Sequence, residues 1–181
     1  VKSEMSVASG IGLVSQSGAL GFSIAQAMRR GAAVSYVIAG GNSCDIEVTD
    51  SVAYLADDPN CKSIVCIFEG LADPFRLIEA GEIAWAADKP LIVCKLGTSE
   101  RGAAAAMSHS GSLVGSTAAY RALCERAGII MVDELESLIE TASFFAKAPR
   151  RPVARGVGIV AVSGGAAVFA TDKAELHGIP M

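Results

Sequence analysis

The sequence predicts a doubly wound α/β fold, and three observations lead to that prediction. Short apolar runs alternate with amphipathic stretches along most of the 181 residues. The runs are β-branched or apolar through their length, which is typical of strands buried on both faces of a parallel sheet. Five strand–helix units follow one another, and right-handed crossovers between them place helices on both faces.

Each predicted element has a local signal. Strands are predicted over largely apolar runs at 12–15, 34–39, 63–68, 91–96, 129–132 and 157–162. Helices are predicted at 18–30, 47–55 and 117–127, and from Asp133 onward, where a box-like cap begins. Asp73 and Pro74 are predicted as the N-cap and first residue of a further helix that ends before Pro90. The first five strands predict a five-stranded parallel sheet of flavodoxin-like order.

The stretch 156–164 repeats the stretch 10–18. The two are identical at their glycines, at one valine and at one serine, in the frame of a strand that runs into a Ser-Gly helix start. A Pro- and Arg-containing segment before the repeat reads as a linker. We therefore expect a first domain at 1–148, a linker at 149–154, and the truncated first β-α unit of a second, similar domain at 155–181.

Composition excludes several classes of protein. A net charge of −4 argues against a surface for nucleic acid or anionic membrane, and no apolar run approaches the ~20 residues of a membrane helix. The five cysteines are widely spaced and lack a C-x-x-C pair, so neither a disulfide nor a zinc site is expected. Cys66 and Cys94 lie in strand-like runs and indicate buried thiols of a cytoplasmic protein.

Ligands of such a sheet bind at the carboxyl ends of the strands, and two loops there carry candidate residues. Ser15, Ser17 and Gly18 precede the first helix, whose N-terminal amides attract anions. An ordinary serine N-cap is the alternative. Glu69 follows the third strand, where a buried carboxylate is costly unless it is paired or used. A cap or a salt bridge is the alternative for Glu69.

Common phosphate-binding and hydrolase motifs are absent. The sequence has no G-x-x-x-x-G-K-[ST] loop, and Ser15 and Ala161 stand where a nucleophile elbow needs glycine. Gly10 and Gly12 precede their strand, so they do not form a dinucleotide fingerprint.

His109 is one of only two histidines and lies among hydroxyls and glycines in the stretch 108–115. We expect a loop here, preceded by a run at 102–106 that is either mobile or a short helix. The sequence offers no partner ligands, so no metal site is expected, and a Ser–His dyad lacks an elbow and a suitable acid. A phosphohistidine fits best, since a carboxylate on a neighbouring strand end could orient the ring through one nitrogen while the other attacks phosphorus.

Six motifs occur in the order and spacing of a known family. They are GLVSQSGALG at 12–21, Gly41-Asn42 with Asp45 and Asp50, Phe68-Glu69-Gly70, Lys89-Pro90, Lys95-Leu96-Gly97, and SHSGSL at 108–113. Over residues 5–148 the chain resembles the ligase domain of NDP-forming acyl-CoA synthetases, the superfamily of succinyl-CoA synthetase and ADP-forming acetyl-CoA synthetase. From 155 it resembles that family's next flavodoxin-like subdomain.

The resemblance implies a reversible phosphoryl shuttle. Acyl-CoA and phosphate give acyl phosphate, and the phosphoryl group passes to histidine and then to ADP. By motif position, His109 would be phosphorylated and Glu69 would steady its ring. Phosphate binding would fall to Ser15, Ser17, Gly18, Ser108, Ser110 and Gly111, and possible substrate or CoA contacts to Asn42, Lys95 and Arg101. Thr98 stands where arginine is usual, and Arg101 is a candidate substitute.

The resemblance also implies partners. CoA, ATP or ADP, phosphate and a small carboxylic acid would be substrates, with Mg²⁺ accompanying the nucleotide and no permanently bound cofactor. A CoA-binding Rossmann domain and an ATP-grasp domain or subunit outside these residues would complete an oligomeric enzyme, and the fragment alone should not turn over. Two alternatives stay open. One is a non-catalytic ligand-binding or regulatory domain, as in some acyltransferases; the other is a flavodoxin, which the few aromatic residues in the edge loops disfavour.

Overall fold

A computed structural model describes residues 9–110, 115–148 and 155–181, and only the backbone of His109 and Ser110. The chain divides into two compact units, Val1–Lys147 and Ala148–Met181. The described part of the first unit holds the strands β1 (Gly10–Ser15), β2 (Val34–Ala39), β3 (Cys61–Phe68), β4 (Leu91–Lys95) and β5 (Ile130–Val132). Its helices are α1 (Gly18–Ala25), α2 (Val48–Asp57), α3 (Phe75–Ala86), α4 (Glu100–Ser110), α5 (Thr117–Ala127) and α6 (Leu135–Lys147). The second unit holds α7 (Gly164–Leu176).

The five strands form one parallel sheet in the order β2-β1-β3-β4-β5. This confirms the predicted doubly wound, flavodoxin-like fold. The chain order reverses its direction between β1 and β3, which are neighbours in the sheet. Because all the strands are parallel, the loops after β1, β3 and β4 emerge side by side at one edge, where such folds bind ligands.

Helices cover both faces of the sheet. One core cluster joins the sheet to α2, α3 and α5, and the other joins it to α1 and α6. Successive strand residues alternate between the clusters, so that Val93 belongs to the first and Cys94 to the second. The strands β1 and β3 are buried along nearly their whole length. The sheet is therefore a rigid platform for the edge loops.

Several predicted boundaries need correction. The helix predicted at 18–30 is an α-helix to Ala25 followed by a 3-10 helix, Gln26–Arg30, which ends at Gly31 with φ 89°. Pro74, not Asp73, is the N-cap of α3, and the Asp73 Oδ1 accepts a hydrogen bond from the Phe75 amide (2.9 Å). Shifts of one or two residues are usual at helix ends, where capping groups compete for the same amides.

The segment 157–162 is not a strand, contrary to the prediction. No strand lies beside it in the described part of the second unit, and the Val160 and Val162 side chains are exposed. A strand needs a neighbour to satisfy its backbone groups, and an apolar run alone does not supply one. The repeated helix start is present, however: Ser163 caps α7 by accepting from the Ala166 amide, as Ser17 caps α1 by accepting from the Leu20 amide.

The backbone from Ser108 to Ser110 is helical, which corrects the loop predicted at these residues. The helix α4 begins at Glu100 and includes the backbone of His109 in its last turn. Four consecutive alanines favour a helix, and Ser99 caps it through its Oγ, which accepts from the Gly102 amide (3.1 Å). Of the two alternatives for 102–106, the helix is the one observed. No helix in the described ranges is long and apolar enough to cross a membrane.

Candidate functional site

The loop after β1 presents a helix N-terminus at the carboxyl edge of the sheet. The first intrahelical hydrogen bond of α1 runs from the Gly21 amide to the Ser17 carbonyl (2.9 Å), and the Ser17 Oγ accepts from the Leu20 amide (3.3 Å). The amides of Gly18 and Ala19 precede both bonds, so they have no acceptor within the helix. Two N–H groups and the partial positive charge of the helix end are thus directed at the edge.

Ser15 shapes this loop from inside. Its side chain is fully buried at the end of β1. The Ser15 hydroxyl donates to the Ser17 carbonyl (2.8 Å) and accepts from the Ser17 amide (3.1 Å). The only proton of the Ser15 hydroxyl is therefore already donated within the loop, so Ser15 fixes the turn. Ser17 and Gly18 are half-buried and face the edge of the sheet.

Glu69 lies one residue beyond β3, at the same edge, and is half-buried. The backbone before it is anchored on the neighbouring strand, because the Leu96 amide donates to the Phe68 carbonyl (2.8 Å). The strands β1 and β3 are adjacent, so the structure brings Glu69 and the start of α1 to neighbouring loops.

Gln16 joins these two loops directly, and the sequence did not single it out. Its Oε1 accepts from the Glu69 amide (2.6 Å), and its Nε2 donates to the Gly70 carbonyl (2.7 Å). Its backbone amide donates to the Ile67 carbonyl (3.0 Å). The side-chain partners lie 53 and 54 residues away along the chain, and a glutamine between two serines carries no local signal of such contacts.

The remaining residues of the predicted phosphate site lie on α4 or beyond it. Ser108 is exposed, and its hydroxyl donates to the Ala104 carbonyl one turn earlier (3.0 Å). The side chains of His109 and Ser110, and all of Gly111, lie outside the described part of the chain. The pairing of His109 with Glu69 therefore stays a prediction.

The three predicted substrate contacts are not equivalent. Asn42, in the loop after β2, and Arg101, in the first turn of α4, are exposed. Lys95, the last residue of β4, is only 3% exposed. A direct contact with substrate is open to the first two, whereas the burial of Lys95 disfavours one.

Lys95 is a buried cation beside the aromatic ring of Tyr120. Its Nζ lies 5.4 Å from the centroid of the Tyr120 ring and donates to the Leu96 carbonyl (3.1 Å). The Tyr120 hydroxyl accepts from the Leu71 amide (3.2 Å), and its ring packs 5.3 Å from that of Phe68. No carboxylate of the described residues forms an ion pair with Lys95. Burial accordingly lowers the pKa of the Lys95 ammonium.

Replacing Lys95 by methionine is expected to keep or raise the free energy of unfolding at pH 7, by up to about 1 kcal/mol, because an apolar substitute for a buried charge is often neutral or stabilising. In the wild type, the folded state releases the Lys95 proton at a lower pH than the unfolded chain does. Stability should therefore rise as the pH approaches the ordinary lysine pKa of about 10.4, and rise less in the variant. Denaturant titrations at two pH values measure both effects, and a clearly less stable variant would contradict the expectation.

A charged network ties the loop after β2 to the loop after β3. The Asp50 Oδ1 lies 2.5 Å from the Arg76 Nη2, and the Asp50 Oδ2 accepts from the Glu47 amide (2.8 Å). The Glu47 Oε1 accepts from the Ala72 amide (3.1 Å). The amide of Glu47 and then the Arg76 guanidinium lower the pKa of the Asp50 carboxyl. This network fixes the start of α2 to the loop after β3 and to the first turn of α3.

Within the described ranges, no group of three or more His, Cys, Asp or Glu residues could hold a metal ion. Four cysteines are buried free thiols, and Cys44 is exposed. Burial raises the pKa of the Cys61 and Cys124 thiols to about 11, so these groups stay protonated and unreactive at neutral pH.

Comparison with known proteins agrees with this fold. Residues 8–145 match the model of the succinyl-CoA ligase like flavodoxin domain. The chain therefore belongs to that family, within the superfamily of NDP-forming acyl-CoA synthetases.

Two curated relatives are named as ADP-forming acid–CoA ligases. The chain is 37% identical, over 93% of its length, to the ADP-forming acetate–CoA ligase I subunit alpha of Pyrococcus furiosus, of which it covers 36%. It is 36% identical, over 94% of its length, to the ADP-forming 4-hydroxybutyrate–CoA ligase of Nitrosopumilus maritimus, of which it covers 25%. It thus spans about a third or less of these relatives.

A solved structure has the same fold. This is the dinucleotide forming acetyl-coenzyme A synthetase 1 of Ca. Korarchaeum cryptofilum in complex with phosphate and ADP. The TM-score is 0.86 at 30% identity, over 97% of this chain and 38% of that one.

Proposed function

We propose that this chain carries the phosphohistidine of an ADP-forming acyl-CoA synthetase, with His109 as the phosphorylated residue. The supporting observation is that two loops at one edge of the sheet are hydrogen-bonded to each other. One holds the helix start at Ser17 and Gly18, which attracts anions, and the other holds the half-buried carboxylate of Glu69. The helix α4, which contains His109, leaves the adjacent strand β4 at the same edge.

The proposed chemistry has three steps. Phosphate displaces CoA from acyl-CoA and forms acyl phosphate. One ring nitrogen of His109 then attacks phosphorus, the bond between phosphorus and the acyl oxygen breaks, and the acid leaves as a carboxylate. An ADP oxygen finally takes the phosphoryl group and restores the neutral ring. Such transfers depend mainly on positioning and on electrostatic stabilisation of the equatorial oxygens.

Each residue has a proposed part in this chemistry. Glu69 accepts a hydrogen bond from the second ring nitrogen, which fixes the tautomer and raises the basicity of the first. The amides of Gly18 and Ala19 and the Ser17 hydroxyl bind phosphoryl oxygens, and Ser15 holds their turn. Ser108, Ser110 and Gly111 complete the phosphate site around the phosphorylated ring.

We propose that the other substrates bind largely through further domains or subunits. The short share of the relatives that the chain covers supports this, and a CoA-binding Rossmann domain and an ATP-grasp domain with Mg²⁺ and nucleotide are the proposed partners. Asn42 and Arg101 are the proposed contacts of this chain to the acyl group or CoA. The relatives are named for acetate and 4-hydroxybutyrate, so we propose a small carboxylic acid as substrate.

We further propose that residues 1–148 are the ligase domain, 149–154 a linker, and 155–181 the start of a second, similar subdomain. The shared serine caps of α1 and α7 and the division of the chain after Lys147 support these boundaries. In a denaturant titration, the fragment 1–148 is expected to be folded and to unfold cooperatively.

The buried free thiols favour a reducing compartment, and the cytoplasm is the proposed location.

The intact enzyme, incubated with ATP labelled at the γ-phosphate, should gain a covalent label. The label should be lost in acid and kept in base, as a phosphoramidate is, and mass spectrometry should find it on the peptide between Arg101 and Arg121, which contains His109. ADP added afterwards should discharge the label as ATP. An acid-stable label on a serine, or no label, would contradict the proposal, and no label would favour a regulatory domain.

A further inference from the structure

We propose that Gln16 is a positioning residue that fixes the start of α1 and Glu69 in one geometry for phosphoryl transfer. The inference rests on the proposed function and adds a residue to it. Gln16 precedes Ser17, the N-cap of α1, and its side chain is bonded to both backbone groups of the turn at Glu69 and Gly70. A movement of either loop is thus transmitted to the other through one side chain.

Only a carboxamide of this length meets both requirements. The Glu69 amide needs an acceptor and the Gly70 carbonyl needs a donor, and the two bonds measure 2.6 and 2.7 Å. Glutamate has the same shape but no donor, so one carboxylate oxygen would face the Gly70 carbonyl oxygen. Asparagine keeps both groups but is one methylene shorter. The half-buried position of Gln16 limits replacement of these bonds by water.

The two side-chain hydrogen bonds of Gln16 are separate from the backbone hydrogen bonds that hold the sheet together. The strands β1 and β3 are already paired from Gly10 to Ser15, and the Gln16 backbone amide continues that ladder to the Ile67 carbonyl. Losing the side-chain bonds leaves this ladder intact. The consequence falls instead on the few residues beyond the strands, which are the ones proposed to hold the phosphoryl group and orient the ring of His109.

Gln16→Glu in the intact enzyme should lower kcat while KM for inorganic phosphate stays within about two-fold. Loss of a group that orients a reactive residue costs about 10–100-fold, and a fall in kcat without a change in KM marks an interaction made in the transition state. The reaction is followed with ADP, inorganic phosphate and whichever thioester the wild type uses faster, acetyl-CoA or 4-hydroxybutyryl-CoA. Gln16→Met should lower kcat to a similar extent, and the kcat of Gln16→Asn should lie between those of the wild type and Gln16→Glu.

The control is Ser23→Ala, which removes a side-chain bond to the Ala19 carbonyl on the exposed side of α1 (2.9 Å), and it should leave kcat and KM unchanged. A wild-type kcat in Gln16→Glu and Gln16→Met overturns the inference. So does a rise in KM that accounts for the whole loss, because Gln16 would then serve phosphate binding alone. Failure of the wild type to become labelled or to use any thioester counts against the proposed function instead.

Discussion

His109→Asn in the intact enzyme should abolish covalent labelling by ATP and lower turnover on the order of 10⁴-fold or more, since removal of a covalent nucleophile leaves only binding and electrostatic contributions. Asparagine has a similar size and a similar helix propensity, so α4 should persist. Label retained after base treatment is measured by filter binding, and turnover by the CoA released from acyl-CoA.

The matched control for His109→Asn lies on the same helix. Met107 is 52% exposed on α4, and Met107→Leu conserves volume and helix propensity. Its labelling and turnover should equal those of the wild type. Equal labelling in His109→Asn would mean that another residue accepts the phosphoryl group, and the assignment of His109 would then be wrong.

The sheet was predictable because its signals are local. The bounds of β2 agree with the predicted 34–39, where an apolar run begins three residues after Gly31, a glycine of positive φ. The bounds of α5 agree with the predicted 117–127, because Ser116 and Gly128 cap that helix. The five units and the handedness rule predicted a doubly wound sheet, and a flavodoxin-like strand order fitted the length. The carboxyl edge, and with it the candidate loops, could therefore be located from the sequence.

The details of the site depend on contacts between distant residues, which composition and spacing do not encode. The pattern of hydroxyls and glycines around His109 indicated a loop, but the alanines before it and the Ser99 cap extend a helix to that residue. Gln16 and the burial of Lys95 became visible only once β1, β3 and β4 were aligned and Tyr120 packed against them. The segment 157–162 failed as a strand because pairing, not apolarity, makes a strand.

Lys89→Met should lower the free energy of unfolding by about 3 kcal/mol, the largest loss of stability expected from a single polar contact group here. The Lys89 Nζ donates to the Leu55 carbonyl (3.1 Å), to the Ala56 carbonyl and to the Asp58 carbonyl (2.6 Å). It thus satisfies the last carbonyls of α2 and places a positive charge at the negative end of the helix. Methionine fills the space but donates to none of the three.

The position of Lys89 explains why the effect should be global. Lys89 lies two residues before β4, so its ammonium ties the start of that strand to the end of α2, and α2 packs on β1 and β3. Urea titration of the full chain measures the change as a lower midpoint at an unchanged slope. The control is Lys62→Met, an exposed lysine on β3, which should change stability by less than about 0.5 kcal/mol. Equal stabilities of the two variants would mean that water replaces the ammonium at the helix end without cost.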